Sequence, residues 1–297
     1  MEKTVFTGSA CALITPFDED GKVDIKALKR LTDFQITNGT DAIVVCGTTG
    51  EGAVLTNTER RRIVRAAVRA AAGRVPVIAG TGSNNTGLAV AASVNAEKDG
   101  ADALLVVTPY YNKCSADGLA DHYRRISDAV NIPIIVYNVP SRTGLDVMPE
   151  DYARLCEIEN VVAIKEANGS ISSLLKTMRL CRDRLDVYSG NDDQTAAFTS
   201  LGAKGVISVL ANILPRETHE LAAAGVAGMT RECADLQLRY ADICSALFAD
   251  VNPIPVKYAM KRLGLDRGIY RLPLTEPRED VKERIDRLLD SGIAAPV

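Results

Sequence analysis

Val161-Val162-Ala163-Ile164-Lys165 is the stretch on which the fold turns. Four apolar residues in a row show no polar alternation, so they read as a short strand buried on both faces, the kind found in parallel sheets covered by helices. The strand then ends on a lysine, a residue almost never fully buried unless it is paired or needed. Loss of hydration disfavours the ammonium form, so an amine held there becomes a usable nucleophile. That is the requirement of Schiff-base chemistry. The competing reading is that the chain leaves the core at this point and the ammonium snorkels into water.

Working outward, seven more apolar runs recur: 12–14, 42–46, 75–79, 103–107, 132–136, 186–188 and 205–209. The first six of the eight start about 28 to 33 residues apart with helical signals between most of them, the pattern of repeated βα units. Thr56-x-x-Glu59 is a capping box ahead of Ile63, Val64, Ala67, Val68 and Ala71 on one helical face. Arg60, Arg61, Arg62 and Arg65 of that helix read as a solvated surface. Further helices are expected from Asp24 to Gly39 and from Thr86 to Gly100, and Pro149 and Pro215 suit first-turn positions. Eight such units favour a closed (β/α)8 barrel over residues 1–225. Helical segments at about 229–249, 255–264 and 276–291 predict a C-terminal helical domain over 226–297. A nucleotide fold is disfavoured, because Gly80-Thr81-Gly82 lacks a third glycine and Gly47-Thr48-Thr49-Gly50 has no Walker lysine.

The chain has 297 residues, 46% of them hydrophobic and 25% charged, with a net charge of −3. Basic residues are scattered, which argues against a nucleic-acid partner. No signal-peptide core and no apolar stretch of roughly 18 residues is present, so a cytoplasmic protein without a membrane partner is expected. Seven dispersed cysteines contain no Cys-x-x-Cys pair and read as reduced packing residues. His122 and His219 lack a ligand pattern, and neither a metal nor another cofactor is called for.

In a barrel the residues at the carboxyl ends of strands face the catalytic mouth. Reading each strand outward brings Thr15, Thr48-Thr49, Thr81, Thr108 with Tyr110-Tyr111, Tyr137-Asn138, Lys165-Glu166, Ser189-Gly190-Asn191 and Ser208 to one rim. Thr15, Thr81, Ser208 and Glu166 are taken as ordinary strand capping. If Lys165 condenses with a 2-keto acid, the hydroxyls and backbone amides at Thr48 and Thr49 can hold its carboxylate, and the Tyr137 phenol can shuttle protons. Arg142, on the loop after strand five, suits a second anionic substrate as a bidentate clamp. Its alternative is a solvent-exposed loop charge.

These motifs resemble the pyruvate-dependent class I aldolase and lyase family over nearly the whole chain. The resemblance rests on Gly47-Thr48-Thr49-Gly50-Glu51, Thr108-Pro109-Tyr110-Tyr111, residues 137–144 from Tyr137 to Gly144, and Ile164-Lys165-Glu166. It rests also on Ser189-Gly190-Asn191-Asp192, Gly205-Val206-Ile207-Ser208 and Asn252-Pro253-Ile254-Pro255-Val256-Lys257. It implies that Lys165 forms the Schiff base with pyruvate, Tyr137 is the acid/base phenol, and Thr49 and Tyr111 complete a proton relay. It implies further that Thr48 and Thr49 hold the pyruvate carboxylate and that Gly190 and Ile207 line that pocket. Arg142 would grip L-aspartate 4-semialdehyde. Tyr111 would reach into a neighbouring subunit, which implies an obligate dimer and usually a homotetramer, a dimer of dimers.

Within the family, Thr48 and Arg142 separate the chain from sialic acid lyases, which resemble it in lysine and phenol but carry serine at the Thr48 position and lack the arginine. The enzymatic alternative is another pyruvate-dependent aldolase, an N-acetylneuraminate (sialic acid) or 2-keto-3-deoxy sugar acid lyase, and a catalytically silent keto-acid-binding barrel is the alternative of another class. Asn84 and Tyr110 match two positions of an interfacial L-lysine effector site, but Leu88 stands where lysine-sensitive members carry glutamate, and Asn57 and Arg60 where some carry histidine. Losing a carboxylate that would face the effector's ammonium implies weak or absent feedback by lysine.

Overall fold

A computed structural model of the chain describes residues 4–181 and 184–294. Eight strands, β1 (Gly8–Ala12), β2 (Ala42–Val45), β3 (Val77–Gly80), β4 (Ala103–Val107), β5 (Ile134–Asn138), β6 (Val161–Glu166), β7 (Asp186–Ser189) and β8 (Gly205–Ser208), run parallel in sequence order and close into a barrel. Around them lie α1 (Ile25–Thr37), α2 (Asn57–Ala71), α3 (Thr86–Lys98), α4 (Ala116–Ser127), the single turn α5 (Pro140–Thr143), α6 (Pro149–Leu155), α7 (Ile171–Cys181), α8 (Thr195–Ser200) and α9 (Pro215–Val226). Four helices follow, α10 (Thr230–Arg239), α11 (Ala241–Leu247), α12 (Ile254–Arg262) and α13 (Glu279–Asp290). The expected (β/α)8 barrel with C-terminal helices is the architecture observed.

Side chains alternate as a parallel barrel requires. Ala10, Ala12, Val44, Ile78, Leu105, Ile135, Ala163 and Ile207 fill the interior, while Cys11, Ile43, Val45, Val77, Leu104, Val106 and Ile164 pack outward against the helices. This double burial is why the strand sequences carry few polar residues until their carboxyl ends. Lys165 pairs in register with Tyr137 on one side and Tyr188 on the other, and both tyrosines belong to the interior cluster. The lysine therefore points into the barrel, and Glu166, one residue on, points out.

The first strand lies earlier than the apolar run at 12–14 suggests, because Gly8-Ser9-Ala10-Cys11 has small side chains and little strand propensity. Closure explains that composition. Gly205 opposite has φ +144, and a Cβ there would collide with the Gly8 carbonyl oxygen. The capping box at Thr56 and Glu59 forms, whereas the segment at 229–249 divides into two helices at Tyr240. The arginines of α2 correct the expectation of a solvated face in part: Arg62 and Arg65 are exposed, whereas Arg60 and Arg61 are half-buried. Arg61 and Arg65 bind Asp99, whose side chain is 1% exposed, and Arg60 donates to the carbonyls of Gly80 and Gly52. Hydrogen bonds from Arg61 and Arg65 hold the Asp99 carboxyl below the usual range.

His122 pairs through Nδ1 with the Thr86 hydroxyl at 3.0 Å and His219 with Asp41 at 2.8 Å. All seven cysteines are free thiols. Among the described residues, no helix is long and apolar enough to cross a membrane.

Candidate active site

Lys165 is 5% exposed. Its Nζ lies 4.4 Å from the centre of the Tyr137 ring and donates no hydrogen bond to a protein acceptor among the described residues. Burial pulls its pKa from 10.5 down to about 8, with Asp192 opposing and Arg142 assisting. At pH 7 roughly a tenth of the molecules then carry a free amine, some hundreds of times the share of an unshifted lysine. Asp192, the opposing charge, is fully buried and accepts from the amides of Val209 and Leu210, both at 3.0 Å.

The two threonines face different spaces. A cavity of about 340 Å³ brings Lys165 together with Thr49, Tyr137, Arg142, Gly190 and Asn252. An adjoining cavity of about 310 Å³ is lined by Thr48, Tyr110, Tyr137, Arg142 and Asn252. Tyr137 is buried, which raises its pKa against the opposing effects of Arg142 and of a hydrogen bond with the Thr48 side chain. The hydroxyl beside the phenol is thus Thr48's. Thr49 Oγ1 instead accepts from Asn252 Nδ2 at 2.9 Å. The expected pairing of Thr49 with the phenol is corrected accordingly.

The turn that carries both threonines is tightly held. Glu51 donates its amide to Thr48 O and Gly52 to Gly47 O, each at 3.0 Å, and a Cβ at Gly52 would collide with the Cys46 carbonyl. Glu51 has φ +52, a conformation that costs a non-glycine residue about 1–2 kcal/mol. Its carboxylate meets Lys257 Nζ of α12 at 2.6 Å, with side-chain exposures of 1% and 0%. Lys257 also donates to the carbonyls of Thr15 at 3.1 Å and Ile269 at 2.5 Å. Among the described residues the two buried lysines are therefore opposites: Lys257 has its donors filled, whereas Lys165 has no acceptor to hold its proton.

Arg142 stands exposed on α5 and donates to the backbone carbonyl of Asn252 at 3.0 Å. Gly190 lines the cavity with Lys165, but Ile207 lies fully buried in the apolar layer of the barrel interior. Tyr111 is not joined to the other site residues within one chain. Its ring is 92% exposed and its φ is +68. The capping residues have local partners: Thr15 donates to Gly50 O at 2.6 Å, Thr81 accepts from Ser93 at 2.9 Å, and Ser208 Oγ accepts from the Ala211 amide at 2.9 Å. Glu166 accepts from Tyr152, Asn138 and the Asn168 amide, and burial pushes it up to about 7. At the possible effector site, Asn84 O accepts from Asn112 at 3.0 Å, and Tyr110 and Leu88 are 37% and 57% exposed.

The segment from Asn252 to Lys257 carries functional contacts that the sequence alone assigns to none of its residues. The signal was available, since Val256-Lys257 places a lysine against apolar residues just as Ile164-Lys165 does.

A family model described as the dihydrodipicolinate synthetase family matches residues 5–291. The 4-hydroxy-tetrahydrodipicolinate synthase of Clostridium novyi is 48% identical over 288 residues, covering 97% of this chain and 97% of its own length. The crystal structure of dihydrodipicolinate synthase from Aquifex aeolicus superposes with a TM-score of 0.95 at 43% identity, over 98% of this chain and 99% of that one. A monomeric dihydrodipicolinate synthase variant superposes with a TM-score of 0.94 at 40% identity, over 97% of this chain and 98% of the variant.

Proposed function

Because the chain belongs to the dihydrodipicolinate synthetase family, we propose that it condenses pyruvate with L-aspartate 4-semialdehyde to 4-hydroxy-tetrahydrodipicolinate through a Schiff base on Lys165. The observation that carries this is a buried amine without a hydrogen-bond acceptor, at a cavity shared with Thr49, Tyr137 and Arg142. The free amine adds to the keto carbon of pyruvate, the carbinolamine hydroxyl takes up a proton through Tyr137, and water leaves, giving an iminium. A proton lost from the methyl carbon gives an enamine, which attacks the aldehyde carbon of the second substrate. The attack regenerates an iminium on Lys165; the amino group of the added chain then attacks that carbon, closing the ring, and Lys165 leaves as the free amine.

Each neighbour has a task that its position supports. Thr49 and the amides of its turn hold the pyruvate carboxylate beside Lys165. Tyr137 moves the protons of carbinolamine and enamine steps, with Thr48 as the next hydroxyl in the relay. Gly190 leaves room for the keto acid, and Ile207 closes the apolar floor. Arg142 receives the carboxylate of the semialdehyde. Incubation with pyruvate and borohydride tests the reading: a covalent mass gain at Lys165 is expected, and its absence would exclude the Schiff base.

Tyr111 supports a shared site. An exposed aromatic ring on a left-handed backbone is costly for an isolated chain, and we assign it to the relay of a neighbouring subunit within a dimer of dimers. Full activity in a species that sediments as a single 31.8 kDa chain would contradict this.

Two solution results follow. Arg142→Ala should leave pyruvate trapping within about twofold while lowering kcat/KM for the semialdehyde by about 10² to 10³, the loss of a charged hydrogen-bonded clamp. Equal loss of both would remove Arg142 from the role. Millimolar L-lysine should change initial rates little, because Leu88 offers no carboxylate to an ammonium and Arg60 is already engaged with two carbonyls. Strong inhibition would refute that.

A further inference from the structure

Asn252 touches both substrate regions at once. Its side-chain Nδ2 donates to Thr49 Oγ1 at 2.9 Å, its backbone carbonyl accepts from Arg142 at 3.0 Å, and it lines both cavities. The side chain is 6% exposed, and its Oδ1 is buried without a hydrogen-bond partner. A buried amide oxygen left unpaired is costly, so the position does not select asparagine for filling both ends of the amide. What the contact does satisfy is the donor end.

A threonine hydroxyl has one proton to give and can accept from others. Once Oγ1 accepts from Asn252 Nδ2, its own proton has to point elsewhere, and Thr49 donates to no protein acceptor among the described residues. We propose that Asn252 is a positioning residue that fixes the polarity of the Thr49 hydroxyl, turning its proton toward the carboxylate of the keto acid bound at Lys165. This rests on the placement of pyruvate given above. The Asn252 backbone carbonyl leaves the Arg142 tie independent of the side chain, so the two substrate sites separate under mutation.

The geometry gives an ordering that a purely structural role does not. In Asn252→Ala the hydroxyl loses its fixed donor and must be oriented by substrate. In Asn252→Asp the bond reverses, since a carboxylate can only accept; Thr49 then gives its proton to residue 252, and a negative charge faces the substrate carboxylate.

The test measures half-saturation by pyruvate in borohydride trapping, and KM for both substrates, for wild type, Asn252→Ala, Asn252→Asp, Thr49→Val and the Asn252→Ala/Thr49→Val double variant, with thermal unfolding alongside. Pyruvate half-saturation is expected to rise about fivefold in Asn252→Ala and at least ~30-fold in Asn252→Asp, the loss of a charge-assisted hydrogen bond and more. KM for the semialdehyde should stay within about twofold in Asn252→Ala, and the double variant should be no worse than Thr49→Val alone. Additive losses in the double variant, Asn252→Asp milder than Asn252→Ala, or parallel rises in both KM values would overturn the assignment. If Asn252→Asp fails to fold, additivity in the alanine cycle still decides. Wild type untrapped by pyruvate would remove the Schiff-base reading itself, and this inference with it, whereas a trapped wild type with silent Asn252 variants removes only the inference.

Discussion

Lys165→Ala is expected to stay folded, gain no mass from pyruvate and borohydride, and lose at least ~10³ in kcat. Folding should survive, because the native Nζ makes no hydrogen bond whose loss would leave a partner unsatisfied, and the truncation removes a group that burial disfavours in its charged form. Reactivity should not survive, because the other deeply buried lysine, Lys257, is committed to Glu51 and two carbonyls. Retained trapping in the variant would mean that another lysine carries the bond. The same amine sets a pH dependence in wild type. With its pKa brought down to about 8 by burial, the neutral fraction rises about tenfold per unit up to that pH and levels beyond it. The rate of adduct formation should follow, and a rate flat between pH 6 and 8 would show that deprotonation of Lys165 does not limit it.

That lysine was legible because its signal is local: a charge at the end of a doubly buried strand. The strand count and order were legible for the same reason, since each of the other apolar runs overlaps an observed strand even where its ends shift. Residues made visible only by tertiary contact were not. Choosing between Thr48 and Thr49 requires the backbone path after β2, where Cys46 takes φ +58 and Glu51 φ +52. Those left-handed residues break the two-residue alternation that sequence reading depends on. The hydroxyl predicted to face the phenol therefore turns to Asn252, and its neighbour takes its place. The ties of Arg61 and Arg65 were not legible because their partner, Asp99, lies at the far end of the next helix. Tyr111 belongs to a third case: its ring stands 92% exposed, joined to none of the other site residues.

The C-terminal segment has an energetic role that matches its chemical one. Lys257→Met should destabilise the protein by about 3–5 kcal/mol at pH 7, because Glu51 is left as a buried carboxylate without its counter-charge. Thermal midpoints at pH 7 read this directly. Glu51→Gln/Lys257→Met, with no charge left to bury, should recover part of the loss. Pyruvate half-saturation should rise in Lys257→Met even where it is fully folded, since the tie holds Glu51 in its left-handed turn two residues from Thr49. A variant within 1 kcal/mol of wild type, or a double variant worse than the single one, would show that Glu51 is not held by Lys257 in the way the geometry requires.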